Sequence, residues 1–496
     1  MKAVLGVLAC YFLLNVLLRV ELPHVLELDE AEQVFFSQWL QLGYSSQPPL
    51  YNWMQKAVFF LTGPSLLGLS ILKNGLLFLC YVFYALAART ALEDRRLQIV
   101  AVLGLLTLPQ VSFMAQQDLA HTVGLLAATS LFLYAFFRIV RSADPAAYVL
   151  LGAATGLGFL TKYNFVLLPL AALVSILPEK DLRARLFDWR IVATAAIAAA
   201  IVLPHALWFL GHLDVATAET LGKMTDGEAQ GRIARTLTGL GSLAVAIVAF
   251  SALAMVIFAA IFRGETVRVL TAGNRLTRIV ERMLLVILLA LVVVIVATGT
   301  VKIRERWLDP FLLVLPLYLC LKIEAAGAAD RILRKGLLAI PAVVLLLVPA
   351  ILYLRVAATP LIGDYTKINT PSDLFAETVT RDVKPGLVVT DDRLLAGSIR
   401  LHLPDVPVLT EDQPGYELPF TTTADRPILL AWSADEEDGE DIPQGLSEFA
   451  AGIGITHAAT AAQMLELPFH YAMDPQPYRF GYAWVYPPSP AGAPDE

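Results

Sequence analysis

The sequence has little charge. Asp, Glu, Lys and Arg make up 16% of its 496 residues, against about 25% in soluble globular chains. Cysteine is scarcer still. Cys10, Cys80 and Cys320 each lie in an apolar run, with no CxxC pair and no zinc spacing, which excludes a disulfide scaffold and a cysteine-built zinc site. A basic excess is also missing. The net charge is −7, which excludes a nucleic-acid binder of the usual basic kind. There is no P-loop, HExxH, GxSxG or dinucleotide fingerprint. No internal repeat is visible, which argues against a transporter built from inverted repeats.

What the chain does have is apolar length. Hydrophobic residues reach 57% and the mean hydropathy is +0.64. About eleven runs reach or approach the roughly 18 residues a bilayer span needs: 3–18, 66–88, 97–114, 119–137, 146–161, 163–177, 191–210, 237–262, 283–300, 308–321 and 337–354. The fifth and sixth form one stretch, divided at Thr161-Lys162-Tyr163. Tyr11, Asn15 and Arg19 are unlike a cleavage site, so the first run reads as an anchor. Placing the N-terminus inside puts nineteen Lys and Arg in inner segments and eleven in outer ones, as the positive-inside rule requires. The chain therefore divides into a membrane domain, 1–356, and a tail, 357–496, that falls outside. The tail holds 22 acids and 7 bases. Strand-like runs at 386–390, 406–410 and 427–432, with a helix-like stretch 392–403, read as a small α/β domain. Asp435 to Asp441 reads as a solvated loop whose spacing fits no EF-hand, and residues 487–496 as a frayed tail.

Function shows as polar residues near the outer face, where burial at membrane depth is costly. The first outer loop, 21–65, is too long for a connector. It reads as two amphipathic helices, one carrying Ala31, Val34, Phe35, Trp39 and Leu42, the other Leu50, Met54, Ala57, Val58 and Leu61. Both are expected in the interface plane, with Trp39 and Trp53 at headgroup level. Asp29-Glu30 opens the first. Asp29 with Glu32 fits a capping box, and Asp29 equally suits a general base. Asp118, at the head of the fourth span, is either an N-cap or a second functional acid. Lys162 interrupts an apolar stretch, as a snorkelling lysine or an anion ligand. Lys302-Ile-Arg-Glu-Arg306 sets three cations on the outer side. They are either a solvated loop paired by Glu305 and Asp309, or a phosphate site.

These segments, in order, resemble a bacterial GT-C glycosyltransferase of the family 39/83 type, relatives of protein O-mannosyltransferases and of the aminoarabinose transferase acting on lipid A. Leu28-Asp-Glu-Ala-Glu32, Leu42-Gly-Tyr-Ser-Ser-Gln-Pro-Pro-Leu-Tyr-Asn-Trp53, Gln117-Asp118-Leu119, Gly156-Leu-Gly-Phe-Leu-Thr-Lys-Tyr163 and Glu305-Arg-Trp-Leu-Asp-Pro310 carry the likeness. Val388-Val-Thr-Asp-Asp-Arg393 extends it into the tail. Gln47, Tyr163 and Asp309 depart from the family pattern. The resemblance implies a polytopic α-helical membrane protein with outer-face amphipathic helices and a small extracytoplasmic α/β domain, in a bacterial inner membrane. It implies an inverting transfer of sugar from a polyprenyl phosphate to a hydroxyl on lipid A, lipopolysaccharide core, another glycolipid or a protein. Asp29 would be the base. Glu30 and Asp118 would support it or position the acceptor. Lys162, Arg304 and Arg306 would hold the leaving phosphate. No nucleotide and no obligatory metal is expected. A lipid-phosphate flippase is the competing reading, and it requires polar residues across the membrane centre.

Overall fold

The structure, a computed structural model, describes residues 1–186, 188–214, 216, 222, 231–330, 339–434, 441–473 and 477–487. The acidic run 435–440, the basic segment 331–335 and the chain from 488 onward lie outside the described residues. The chain separates into two compact units. One comprises Met1–Leu14, Gln41–Tyr51 and Lys73–Val348, the other Asn15–Leu40, Asn52–Leu72 and Pro349–Glu496.

The first unit is helical. Across the described residues of the chain, seven helices are long and apolar enough to cross a membrane, or eight with a bent pair counted as one. The eleven apolar runs therefore do not all become helices of spanning length, and proline accounts for much of the difference. The run 97–114 becomes Arg95–Thr107 and Gln110–Gln117, bent by 70° at Leu108-Pro109, where the ring disfavours a helical predecessor. The run 308–321 becomes Asp309–Leu312 and Leu315–Ala325, with Pro310 and Pro316 each opening a helix. The long apolar stretch breaks at Thr161-Lys162, between Pro145–Phe159 and a turn at Tyr163–Val166. Pro145–Phe159 packs closely on Arg190–Gly211. A Cβ on Gly152 would meet the Thr194 carbonyl oxygen at 2.6 Å, and one on Gly156 would meet Ile201 Cβ at 2.8 Å, the close approach that small residues four apart allow between apolar helices.

The second unit contains a five-stranded sheet: β1 (Leu387–Thr390), β2 (Val408–Thr410), β3 (Ile428–Ala434), β4 (Gln463–Pro468) and β5 (Pro477–Val485), ordered β2-β1-β3-β5-β4. β1 runs parallel to β2 and β3, while β5 pairs antiparallel with β3 and β4. All four β1 side chains are buried, as a central parallel strand requires. Helix Arg393–His402 makes the crossover from β1 to β2. The tail is thus the small α/β domain expected, with two antiparallel strands added.

The first loop helix, Leu28–Phe36, belongs to this unit and not to a bare membrane interface. Its buried Ala31 and Val34 cluster with Leu26, Phe59, Leu66 and Leu69, and Leu394 and Leu401 of the crossover helix pack against them. Each such apolar side chain removed from water contributes roughly 1.5–3 kcal/mol. A Cβ on Gly397 would lie 2.3 Å from the Ala31 carbonyl oxygen, so glycine is what lets the two helices touch. The loop helix ends at Phe36. Trp39 lies beyond it, 9% exposed, with its ring 4.8 Å from that of Tyr416 and its indole N–H donating to the Glu417 carbonyl at 2.8 Å. The expected headgroup position of Trp39 is therefore replaced by a seat in the unit that carries the sheet. Of the stripe that reads as lipid-facing, Ala31, Val34, Phe35 and Trp39 are buried in protein, while Leu42 is exposed.

Candidate active site

In the second unit, Glu27 occupies the N-cap of the loop helix in extended conformation. Its backbone N–H donates to Glu30 Oε2 at 3.2 Å. The capping box therefore joins Glu27 and Glu30, two positions earlier than the Asp29–Glu32 spacing suggests. Glu30 is 3% exposed and accepts both arms of Arg19, from Nε at 3.3 Å and Nη2 at 2.7 Å. Arg19 Nη2 also reaches the Val25 carbonyl at 2.6 Å. A buried carboxylate needs such a partner. Glu27 is paired to Arg355 and Glu32 to Arg393 at 3.5 Å. Asp29 lies among these acids, half-buried in the first helical turn, and the cap falls to Glu27 instead.

In the first unit, Asp118 is half-buried where the short helix Ala115–Gln117 ends. The N-cap of Ala120–Ser142 falls one residue later, on Leu119, whose φ of 73° is left-handed. The segment is tied to Leu66–Ala91 by two bonds. Lys73, 5% exposed, donates to the Gln117 carbonyl at 3.3 Å, and Gln116 Nε2 donates to Asn74 Oδ1 at 3.0 Å. A lysine inside an apolar helix gave no sign of this in the sequence beyond its isolation.

Four of the family-like segments meet in the same unit. Lys162 Nζ donates to Thr122 Oγ1 at 2.6 Å, in the first turn of the helix that follows Asp118. Asn164 Nδ2 donates to the Trp307 carbonyl at 2.8 Å, which ties the Lys162 break to the turn holding Arg306. The Leu50 N–H donates to the Leu160 carbonyl at 3.1 Å, which adds the Ser-Ser-Gln-Pro-Pro segment. The break itself is shaped by Gly158, where a Cβ would sit 2.4 Å from the Phe165 ring. Tyr163 is explained by His205, a residue the sequence did not single out. The Tyr163 hydroxyl lies 3.0 Å from His205 Nε2, while Nδ1 lies 2.8 Å from the Leu42 carbonyl. A carbonyl only accepts, so Nδ1 carries the proton and the tyrosine donates to Nε2.

Arg304 and Arg306 are half-buried and make no ion pair among the described residues. Glu305 and Asp309 do not neutralise them as a solvated loop would. Asp309 is 0% exposed, and among the described residues neither of its oxygens has a hydrogen-bond partner. Two arginine forks and an ammonium at one locus suit a phosphate group. Among the described residues no three His, Cys, Asp or Glu side chains could share a metal ion.

The fold and these segments define a class: a polytopic GT-C glycosyltransferase. ArnT from Cupriavidus metallidurans, solved bound to undecaprenyl phosphate, superposes with a TM-score of 0.61 over 97% of this chain and 98% of that one, at 15% identity. Residues 46–208 match the dolichyl-phosphate-mannose-protein mannosyltransferase family. The lipopolysaccharide core galacturonosyltransferase RgtA of Rhizobium johnstonii is 47% identical across 97% of this chain and 96% of its own length. RgtB of the same organism, of like name, is 43% identical across 98% of each. The chain belongs to the GT-C glycosyltransferase family of RgtA and RgtB.

Proposed function

We propose that this chain moves a galacturonosyl residue from a polyprenyl phosphate to a hydroxyl of the lipopolysaccharide core, at the outer face of a bacterial inner membrane with its N-terminus cytoplasmic and its sheet domain periplasmic. The observation that carries this reading is identity of 43–47% with two lipopolysaccharide core galacturonosyltransferases over nearly the whole chain. The cations of the first unit supply what the donor's phosphate needs.

In the proposed reaction the acceptor oxygen attacks the anomeric carbon from the face opposite the phosphate. Asp29 takes the hydroxyl proton. The bond from the anomeric carbon to the phosphate oxygen breaks, its electron pair leaves with that oxygen, and configuration inverts. Lys162, Arg304 and Arg306 hold the charge that grows on the phosphate, in half-buried surroundings where such contacts count for more than in water. Glu30, locked to Arg19 and Glu27, fixes the turn that carries Asp29. Asp118 positions the acceptor. No step requires a nucleotide or a metal.

The test is transfer in membranes, from a panel of labelled polyprenyl-phosphate sugars that includes galacturonate, to extracted lipopolysaccharide and to membrane protein. Wild type is expected to label the lipopolysaccharide core from the galacturonate donor alone. Asp29→Asn, at equal expression, is expected to lose at least ~100-fold. Label on protein would transfer the acceptor assignment to the protein-glycosylating branch of the family. Full activity in Asp29→Asn would remove Asp29 as the base.

A further inference from the structure

The unit that carries the sheet exposes large apolar side chains at one end. The span Ile340–Ala357, whose C-terminal half belongs to this unit, runs on into a short turn, Thr359–Ile362. Leu361 and Ile362 stand out from that turn, Ile362 being 80% exposed. Much later in the chain, the link between β4 and β5 exposes Tyr471 and Met473, the latter 77% exposed. Span end and link are joined. Asn369 Nδ2 donates to the Val356 carbonyl at 2.9 Å and to the His470 carbonyl at 3.1 Å. The His470 N–H donates to the Asn369 carbonyl at 2.8 Å, and the Tyr365 and Phe469 rings stack 4.1 Å apart. The link therefore sits beside the last turn of a helix long and apolar enough to cross a membrane. The opposite end of the sheet differs. Strand register places the turn before β3 at the end away from the β4–β5 link, and there the exposed residues are Thr421, Thr423, Ala424, Asp425 and Arg426.

We propose that the Thr359–Ile362 turn and the β4–β5 link form one membrane-docking surface, seated among the headgroups of the bilayer that Ile340–Ala357 crosses. Continuity with the span selects lipid as the occupant, because a surface that begins at the last turn of a span meets the bilayer first. The chemistry fits. Tyrosine joins an apolar ring to a polar tip and suits the membrane–water boundary. Leu, Ile and Met gain by leaving water for the acyl boundary. Asp364 and Lys367, exposed in the segment between span and sheet, give the patch a polar rim, as interaction patches have. Tyr471 has a φ of 62°, a left-handed conformation that strains an aromatic residue and suits glycine. The turn bears that strain and leaves the ring exposed. Two attachments far apart in sequence fix the tilt of the sheet on the bilayer, where the span alone would leave a pivot at its end.

The test is accessibility of spin labels on the full-length protein in nanodiscs of phosphatidylethanolamine and phosphatidylglycerol. Cys10, which is exposed, is first replaced by serine. Labels are then placed through Ile362→Cys, Met473→Cys and, at the far end of the sheet, Ala424→Cys. Oxygen concentrates among acyl chains, whereas a neutral nickel chelate stays in water. The labels at 362 and 473 are expected to relax several-fold more with oxygen than with the chelate, and the label at 424 to show the reverse. A photoactivatable phospholipid supplies a second readout on the unaltered protein, which no substitution can disturb. Its adducts, mapped by mass spectrometry, are expected within 359–362 and 469–473 and absent from 421–426. A label at 473 as open to the chelate as the one at 424 overturns the proposal. So does a lack of adducts at 469–473 when 359–362 carries them, since the span end alone would then touch lipid. Shielding of 473 from both reagents also overturns it, because a second copy or another protein would then cover the link.

Discussion

Among the acidic residues, what decides a role is where the second oxygen goes. Glu30 has both oxygens committed to Arg19 and the Glu27 N–H, so it holds structure. Asp309 has neither committed among the described residues. Asp391, in the sheet domain, is intermediate. Its oxygens accept from the N–H groups of Asp392 at 2.8 Å and Ser433 at 2.9 Å, yet burial, and then the neighbouring Asp392 charge, push its carboxyl up from 3.8 to about 7. The folded state therefore binds this proton more tightly than the unfolded chain does. The stability it contributes is fully present below pH 3.8 and is lost as pH rises toward 7. Asp391→Asn is expected to raise the melting temperature at pH 8 and to change it little at pH 4, measured by thermal denaturation in detergent. An equal shift at both pH values would show that its ionisation plays no part. Spacing found the acidic residues and the breaks they sit in. It could not show that Glu30 is consumed by an arginine eleven residues earlier, because that pairing depends on how the chain turns between Glu21 and Leu28.

Secondary structure was legible wherever one period dominated. The helices Leu66–Ala91, Ala120–Ser142 and Arg190–Gly211 match their apolar runs to within a few residues, since nothing but a helix satisfies so long an apolar backbone in lipid. β1, the crossover helix and β3 were equally plain. β4 and β5 were not read, although Pro477 to Val485 is rich in the aromatic and β-branched residues that suit a strand. The loop helix was found, but its partner was not. An apolar stripe records that it is covered, not by what. The partner left one trace, Gly397, whose contact with Ala31 cannot admit a methyl group. Gly397→Ala must push the two helices apart, at a cost of about 1–3 kcal/mol. Because the helix displaced carries Asp29, transfer activity is expected to fall well beyond the loss in folded protein, measured as kcat per folded molecule. A variant that melts lower but turns over normally would show that the position of this helix does not govern the reaction.

At the scale of the molecule, the tail beginning at residue 357 reads in sequence as a separate domain, by its change in composition. In the structure its unit also takes in Asn15–Leu40 and Asn52–Leu72. A fragment of residues 357–496 would leave the Leu394, Gly397 and Leu401 face of the crossover helix uncovered. It is expected to be poorly soluble or to melt without cooperativity, and addition of a peptide covering residues 24–40 is expected to improve it. A sharp unfolding transition in the fragment alone would overturn this. The same arrangement sets a timetable for synthesis. Residues 28–36 leave the ribosome early, but the helix they pack on ends at His402. At about 5–20 residues per second, the helix bearing Asp29 waits roughly 20–70 s for the crossover helix, with only the early side chains Leu26, Phe59, Leu66 and Leu69 to cover it meanwhile. Maturation of this enzyme is therefore a race between the arrival of the helix ending at His402 and capture of the early segment by lipid, chaperone or protease.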